Sequence, residues 1–329
     1  MKNLSAGIIG LGYTGRLHMA AYEQNGVRVT GVADPALAGV PAGMQRFTDY
    51  RYLLESEVDI VSICSPTGMH CEQALLALAA GKHVLLEKPI ATTVNDAERI
   101  TAAERQSGKH VLVGMTHRFY PEILEAKRIV EDGGIGEIVM VRDCVLEHFG
   151  FVNSPRWYLD PAMAGGGTVL SSGVHLVDRV LWFLGEMPSS VGGFTNNRFL
   201  DQRVEDSAQM TLGFPSGRCA QLTFGLLPEP HPLVCDLELM GTRGSIVVHT
   251  WSGYELRSSA GARNCVFYTS ETHPEKVLVG ISAQVRELCA AIAQDRRPHP
   301  SSEESTNAIR VIEAFYRAAK TGTMQQPVS

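Results

Sequence analysis

The run Gly7-Ile8-Ile9-Gly10-Leu11-Gly12-Tyr13-Thr14-Gly15-Arg16-Leu17-His18 constrains this chain more than any other segment. An apolar strand enters a tight glycine turn, and a helical pattern follows. In a G-x-G-x-x-G turn the first glycine permits the bend. The second lets backbone approach a pyrophosphate, and the third lets the helix pack closely on its strand. The helix N-terminus then presents unpaired N–H groups and a positive dipole end to phosphate. Gly10, Leu11, Gly12, Tyr13, Thr14 and Gly15 are therefore the first candidate contacts to a dinucleotide.

The next strand, Val27-Arg28-Val29-Thr30-Gly31-Val32-Ala33, ends in Asp34. That acid falls about 20 residues beyond the glycines, where a carboxylate accepts hydrogen bonds from ribose hydroxyls and repels a 2′-phosphate. Pro35 and Ala36 follow, so no arginine is at hand for that phosphate. The pattern favours NAD over NADP.

With 329 residues the chain is long enough for two domains and two cores. Its 29 Lys and Arg face 35 Asp and Glu, a net charge of −6, which leaves no basic field for nucleic acid or an anionic membrane. Seven scattered cysteines without C-x-x-C spacing read as reduced thiols in a cytoplasm. No stretch reads as long and apolar enough to span a membrane. The apolar run after Met1-Lys2 lacks a cleavage-site pattern and is used by the nucleotide motif.

Residues 1–118 alternate strand and helix patterns, the mark of a parallel sheet covered on both faces. Strands are expected at 5–10, 27–33, 58–64, 82–86 and 110–115, with helices at 13–25, 68–80 and 93–107. Residues 119–329 have another texture: a helix at 120–132, a strand at 137–147, and an apolar helix from the 165–167 glycines to about 184. Antiparallel-type strands follow at 189–196, 204–214, 217–227, 233–241 and 244–250, then helices at 276–295 and 303–320. The expected architecture is an α/β Rossmann domain followed by an α+β domain with a mostly antiparallel open sheet. The terminal helix has the option of packing back on the first domain.

Ligands of an open parallel sheet bind beyond the carboxyl ends of its strands. There the chain places Ser65-Pro66-Thr67, with His70 close behind, then Glu87-Lys88-Pro89 and His117-Arg118. Pro89 holds Lys88 extended, which keeps its ammonium at the sheet edge near the nicotinamide end of a cofactor. A lysine so placed stabilises developing negative charge or relays a proton. In the second domain Leu170, Val174, Val177, Leu181 and Leu184 share one apolar helical stripe. Ser171, His175 and Asp178 lie on a neighbouring face. His175 has the only side chain on that face suited to proton transfer near neutral pH, and Asp178 is placed to orient it.

Three motifs occur in order: Gly10-x-Gly12-x-x-Gly15, Gly81-Lys82-His83-Val84-Leu85-Leu86-Glu87-Lys88-Pro89, and Gly165-Gly166-Gly167-Thr168-x-x-x-x-Gly173-Val174-His175-x-x-Asp178. Together with the tail Ile309-Arg310-Val311-Ile312-Glu313-Ala314-Phe315-Tyr316, they resemble the glucose–fructose oxidoreductase / inositol dehydrogenase (Gfo/Idh/MocA) family over nearly the whole chain. The resemblance implies a pyridine-nucleotide oxidoreductase acting on a secondary alcohol of a sugar, inositol or related polyol. It implies a dimer or tetramer built through the second-domain sheet. It also implies that Lys88 is the lysine of the Glu-Lys-Pro motif, that His175 is the catalytic histidine, and that Thr67 and His70 belong to the cofactor-side loop.

One position departs from the family. Members often carry an aspartate four residues before the histidine, and here Ser171 stands there. A serine hydrogen-bonds a hydroxyl but supplies no charge to a protonated His175 or to Lys88. The departure keeps a second reading open, an NAD-using lyase or glycosidase with transient oxidation and no net redox. A third, a non-catalytic nucleotide- or sugar-binding sensor, has no need of Lys88 and His175. Arg118, Trp157, Tyr158 and His148 are expected to flank the cleft between the domains. Trp157 and Tyr158 read equally as an aromatic wall for a sugar and as local packing anchors. His18, His83 and His110 read as structural, and His231 as a turn residue. No His, Cys, Asp and Glu cluster has metal-ligand spacing, so no metal is expected.

Overall fold

The computed structural model describes all residues except 1–3, 37–38, 41, 149–155, 201–202, 232, 260, 269–272 and 328–329. The chain divides into two compact units. One comprises Met1–Thr116 and Pro274–Thr306, the other His117–His273 and Asn307–Ser329. The last helix, Ser302–Thr321, thus begins in the first unit and ends in the second.

The first unit is built on a six-stranded, wholly parallel sheet. Its strands are β1 (Ser5–Ile9), β2 (Arg28–Ala33), β3 (Gln45–Phe47), β4 (Ile60–Ile63), β5 (His83–Leu86) and β6 (Val111–Val113). Their order is β3-β2-β1-β4-β5-β6, the doubly wound dinucleotide order with its switch point between β1 and β4. The central strands are buried on both faces, and β4 reads Ile-Val-Ser-Ile with all four residues buried. Ser62 is the one polar residue in that strand, and it is hydrogen-bonded to Tyr22 and His18. The helix Val94–Ser107 shows why ends were legible. Thr93 accepts from the Asp96 N–H at its start, and Gly108 closes it in the left-handed conformation at φ 65°.

The helix His273–Gln294 also packs in this unit. By length and composition its stretch Glu275–Gln294 is apolar enough to cross a membrane, contrary to the expectation that no stretch was. Its Ile281, Val285, Leu288 and Ala291 are buried in the protein, and its Ser282 carbonyl accepts from Asn25. An apolar face and a membrane span satisfy the same composition test. Here one face of the helix, the one carrying those four residues, packs against the protein.

The second unit is an eight-stranded sheet: β7 (Ile138–His148), β8 (Ser190–Asn196), β9 (Ser207–Gly213), β10 (Cys219–Leu227), β11 (Val234–Gly241), β12 (Gly244–His249), β13 (Gly253–Ser258) and β14 (Gly261–Val266). The order is β14-β13-β12-β11-β7-β10-β9-β8, antiparallel except for the central β7–β10 pair. Along β7, β9 and β11 buried and accessible residues alternate, as one covered face requires. The helix Val174–Leu184 is pinned to that sheet by Arg179. Fully buried, Arg179 grips Asp143 of β7 through two nitrogens and donates a third bond to Thr250 Oγ1 at 2.8 Å.

Strands β3, β13 and β14 and the short helix Tyr50–Leu54 were not expected. β3 and β14 are edge strands of mostly exposed residues, β13 has no clean alternation, and Tyr50–Leu54 is barely one turn long, so hydrophobic patterning gave no signal.

Candidate active site

At the switch point the glycine loop leaves β1. Gly10 has φ 87°, and a Cβ there would lie 2.8 Å from the Cys64 carbonyl oxygen. A Cβ on Gly15 would lie 2.0 Å from the Gly10 oxygen, so helix and turn meet this closely only because residue 15 is glycine. A Cβ on Gly12 would meet nothing within 4 Å. Gly12 is also the N-cap of the helix Tyr13–Gln24, with no side chain closing its N–H groups. Open space beside unpaired N–H groups fits a pyrophosphate. Tyr13, Thr14 and Leu11 frame this turn, and Tyr13 is exposed.

Asp34 stands at the end of β2. Its Oδ2 accepts from the Leu11 N–H at 2.7 Å and its Oδ1 from the Ala36 N–H at 2.8 Å. The carboxylate therefore ties the glycine loop to the neighbouring strand end. Each of its oxygens keeps a second lone pair for a ribose hydroxyl.

Lys88 is bracketed by two histidines. On one side His18, fully buried, meets Glu87 Oε1 through Nε2 at 2.9 Å, and Glu87 Oε2 accepts from the Lys88 N–H at 3.2 Å. Burial pushes the Glu87 carboxyl up, but His18 and Lys88 outweigh it, and the net shift is downward. On the other side His70, also buried, lies 2.8 Å from the Pro89 carbonyl oxygen through Nδ1 and 3.0 Å from that of Ser65 through Nε2. Burial lowers the His70 pKa against those two carbonyls. A neutral ring donates from one nitrogen only, so at any moment one of the two carbonyls takes the proton. Ser65 donates to Gln73, and Thr67 opens the turn Thr67–Met69. Strand ends β4 and β5 are thus laced together through His70. His18 belongs to this cluster although its sequence context marked it only as structural.

The second unit holds His175. The segment from 168 to 184 is two helices, Thr168–Ser171 and Val174–Leu184, rather than the continuous one expected. The break is at Ser172-Gly173. A Cβ on Gly173 would lie 2.5 Å from the Phe224 ring and 2.6 Å from the Val169 oxygen. Close packing on β10 therefore interrupts the helix, and Ser171 and His175 do not share one helical face. The glycines before it are also closed by the chain's own atoms. Gly167 and Val169 donate their N–H groups to the half-buried Glu205 carboxylate at 2.8 and 3.2 Å, and Tyr316 donates its hydroxyl at 2.8 Å. Burial raises the Glu205 pKa, and these donors oppose the rise.

Asp178 faces Arg118. The guanidinium donates from Nε and Nη2 to the two carboxylate oxygens, both at 2.7 Å, and its plane lies over the Trp182 ring at 5.2 Å. Both side chains are buried, so losing one would strand the other at a cost of about 3–5 kcal/mol. The His175 ring stacks instead on His117, with centroids 4.0 Å apart and planes within 7°. His117 in turn meets the edge of Trp251 at 6.0 Å. Trp251 takes φ 69°, strained for a bulky residue, and its N–H is held by buried Glu122 at 2.6 Å. His117 was visible in the sequence only as the neighbour of Arg118. Trp157 and Tyr158 stack on each other at 3.9 Å. His148 contacts the His231 carbonyl, and His231 meets the edge of Phe199.

A doubly wound sheet, a glycine turn open at Gly12 and an acid closing the next strand define a dinucleotide-binding architecture. Residues 4–115 match the oxidoreductase family model with an NAD-binding Rossmann fold, and residues 123–247 match the Gfo/Idh/MocA C-terminal domain. The chain belongs to the Gfo/Idh/MocA family. It is 28% identical to levoglucosan dehydrogenase of Pseudarthrobacter phenanthrenivorans over 66% of this chain and 60% of that protein. It is 30% identical to D-glucoside 3-dehydrogenase of Escherichia coli over 55% and 54%, and 33% identical to inositol 2-dehydrogenase 2 of Saccharopolyspora erythraea over 56% and 54%. These alignments therefore span less than two thirds of the three relatives. An oxidoreductase domain protein from Kribbella flavida superposes over all of both chains with a TM-score of 0.87 at 26% identity. Levoglucosan dehydrogenase in complex with NADH and levoglucosan does so with 0.89 at 22%, which speaks for the fold.

Proposed function

We propose that this protein is an NAD-dependent dehydrogenase of a secondary alcohol on a sugar, inositol or related polyol. The observation that carries the reading is Lys88, held at the carboxyl end of β5 by His18–Glu87 on one side and His70–Pro89 on the other, in a Rossmann unit whose glycine turn is open at Gly12. The named activities of the relatives support the substrate class.

Gly10, Gly12, Gly15 and Asp34 would hold NAD by backbone N–H groups and a carboxylate, and the acid disfavours NADP. When bound, NAD supplies the site with a hydride acceptor at the nicotinamide ring. Lys88 Nζ donates to the reacting oxygen and stabilises its developing charge. His175 takes the hydroxyl proton on a ring nitrogen. The buried Arg118–Asp178 pair is neutral overall and braces the helix that carries His175. Ser171 brings a hydroxyl, without charge, to its position before His175. The chain acts in the cytoplasm as a homodimer or homotetramer through the β7–β14 sheet, on which Met140 and Phe194 are exposed.

The test is a panel of sugars, polyols and amino sugars offered with NAD or NADP. Reduced cofactor should accumulate with at least one polyol and with NAD in preference to NADP. Turnover of a glycoside without accumulated NADH would replace this reading by the lyase or glycosidase one.

A further inference from the structure

The polar chain behind the glycine-turn helix has a definite direction. Tyr22, Ser62 and His18 are all fully buried. Tyr22 Oη lies 2.8 Å from Ser62 Oγ, which lies 3.1 Å from His18 Nδ1, while His18 Nε2 lies 2.9 Å from Glu87 Oε1. Glu87 Oε2 is already an acceptor, for the Lys88 N–H. An ionised carboxylate only accepts, so Nε2 carries a proton, and in the singly protonated ring Nδ1 is then an acceptor. Ser62 has one hydroxyl proton and spends it on Nδ1, so Tyr22 donates to Ser62 Oγ. Every group then donates once, and none is left over.

Such a chain could export a proton or hold a position. Export requires an outlet to water, and this chain ends at a phenol with no exposure, whose ionisation burial strongly opposes. It is a dead end, so its work is positional. His18 lies three residues beyond Gly15, on the same helix whose N-terminus faces the open Gly12 turn.

We propose that His18 is a positioning residue for Lys88: from within the dinucleotide-binding helix it holds the Glu87 carboxylate, which fixes the backbone carrying the lysine. The helix that seats the cofactor and the lysine that meets the substrate are then one rigid assembly. The proposal rests on the role given to Lys88 above. An imidazole suits the task because it is a rigid plane with a donor at one edge and an acceptor at another. Displacing a substrate-positioning group by about 1 Å costs up to ~100-fold in rate.

The experiment uses the full chain with its lysines carrying ¹³C-dimethyl groups, and the Lys88 resonance is assigned by its loss in Lys88→Arg. His18→Asn removes the donor to Glu87, and His18→Gln restores an amide donor within its reach. With His18→Asn the Lys88 resonance should move and NAD turnover should fall roughly ten- to hundred-fold, with NAD Kd within about twofold of wild type. His18→Gln should return the resonance and most of the turnover. A folded His18→Asn protein with the wild-type resonance and turnover would overturn the proposal. A second measurement needs no variant, because asparagine leaves a cavity at a fully buried site. The ¹⁵N spectrum of the wild-type His18 ring should show a proton on Nε2 and a bare Nδ1, and the opposite tautomer would overturn the proposal. If Lys88→Ala leaves turnover intact, the role of Lys88 in catalysis fails, whereas the resonance and the tautomer still judge the hold of His18 on it.

Discussion

Two glycine runs shape this protein, and they do opposite jobs. In Gly10-x-Gly12-x-x-Gly15 the outer glycines are closed by backbone, but the middle one faces open space. In Gly165-Gly166-Gly167 the chain fills the space itself. A Cβ on Gly166 would lie 2.2 Å from the Tyr316 hydroxyl, and one on Gly167 would lie 1.8 Å from the Glu205 oxygen. A glycine that faces nothing leaves room for a ligand, and a glycine that faces its own chain serves packing. The first run thus leaves an open surface, which the proposed function gives to NAD, and the second is packed against its own chain ahead of the helices bearing Ser171 and His175.

The contrast is broken most forcefully at Gly167. Gly167→Ala forces a methyl against backbone and should cost more than about 4 kcal/mol, enough to prevent folding of the second unit. A thermal melt within a few degrees of wild type would show that the run is not a packing device. Gly12→Ala should do the reverse. The melting temperature should hold while NAD affinity, measured by calorimetry, falls roughly ten- to hundred-fold, or ~1.4–2.7 kcal/mol. Unchanged affinity would remove Gly12 from the cofactor surface.

Tyr316→Phe sharpens the comparison at lower cost. It removes one charge-assisted bond to Glu205 and should destabilise by about 1.5–3 kcal/mol in urea unfolding. The sign with pH is defined. The hydroxyl stabilises the charged carboxylate, so its loss raises an already raised pKa further. The stability gap between variant and wild type should therefore widen as pH rises through that pKa and narrow in acid. A constant gap would mean that the hydroxyl does not serve the charge. The smallest effect is expected at Ser171→Asp, a change in polyol turnover within about tenfold, or ~1.4 kcal/mol. A larger gain would make the serine a determinant of specificity.

The same contrast explains what the sequence could reveal. The parallel unit is laid out by short local signals. Gly10, Gly12, Gly15, Asp34 and Lys88 lie where strand ends put them, so pattern and spacing located them. The second unit brings together residues distant in sequence. Asp178 appeared as a partner one turn from His175, yet its carboxylate meets Arg118, 60 residues earlier. Glu205 and Tyr316 clamp a loop near 167, and no periodicity links those positions. The helix break at Gly173 follows from Phe224 on another strand. His117 stacks on His175 from a turn at the unit boundary. Tertiary contact set these features, and local preference carried no trace of them.

The central claim of the proposed function is that Lys88 and His175 are each needed to turn over the alcohol while neither is needed to bind NAD. It is tested most directly by measuring NAD Kd and NAD-dependent turnover side by side in Lys88→Ala and His175→Ala. Both variants should bind NAD within about twofold of wild type and lose at least ~100-fold in turnover, as groups acting only in the transition state do. Wild-type turnover in either, or loss of NAD binding that accounts for the whole effect, would contradict the account.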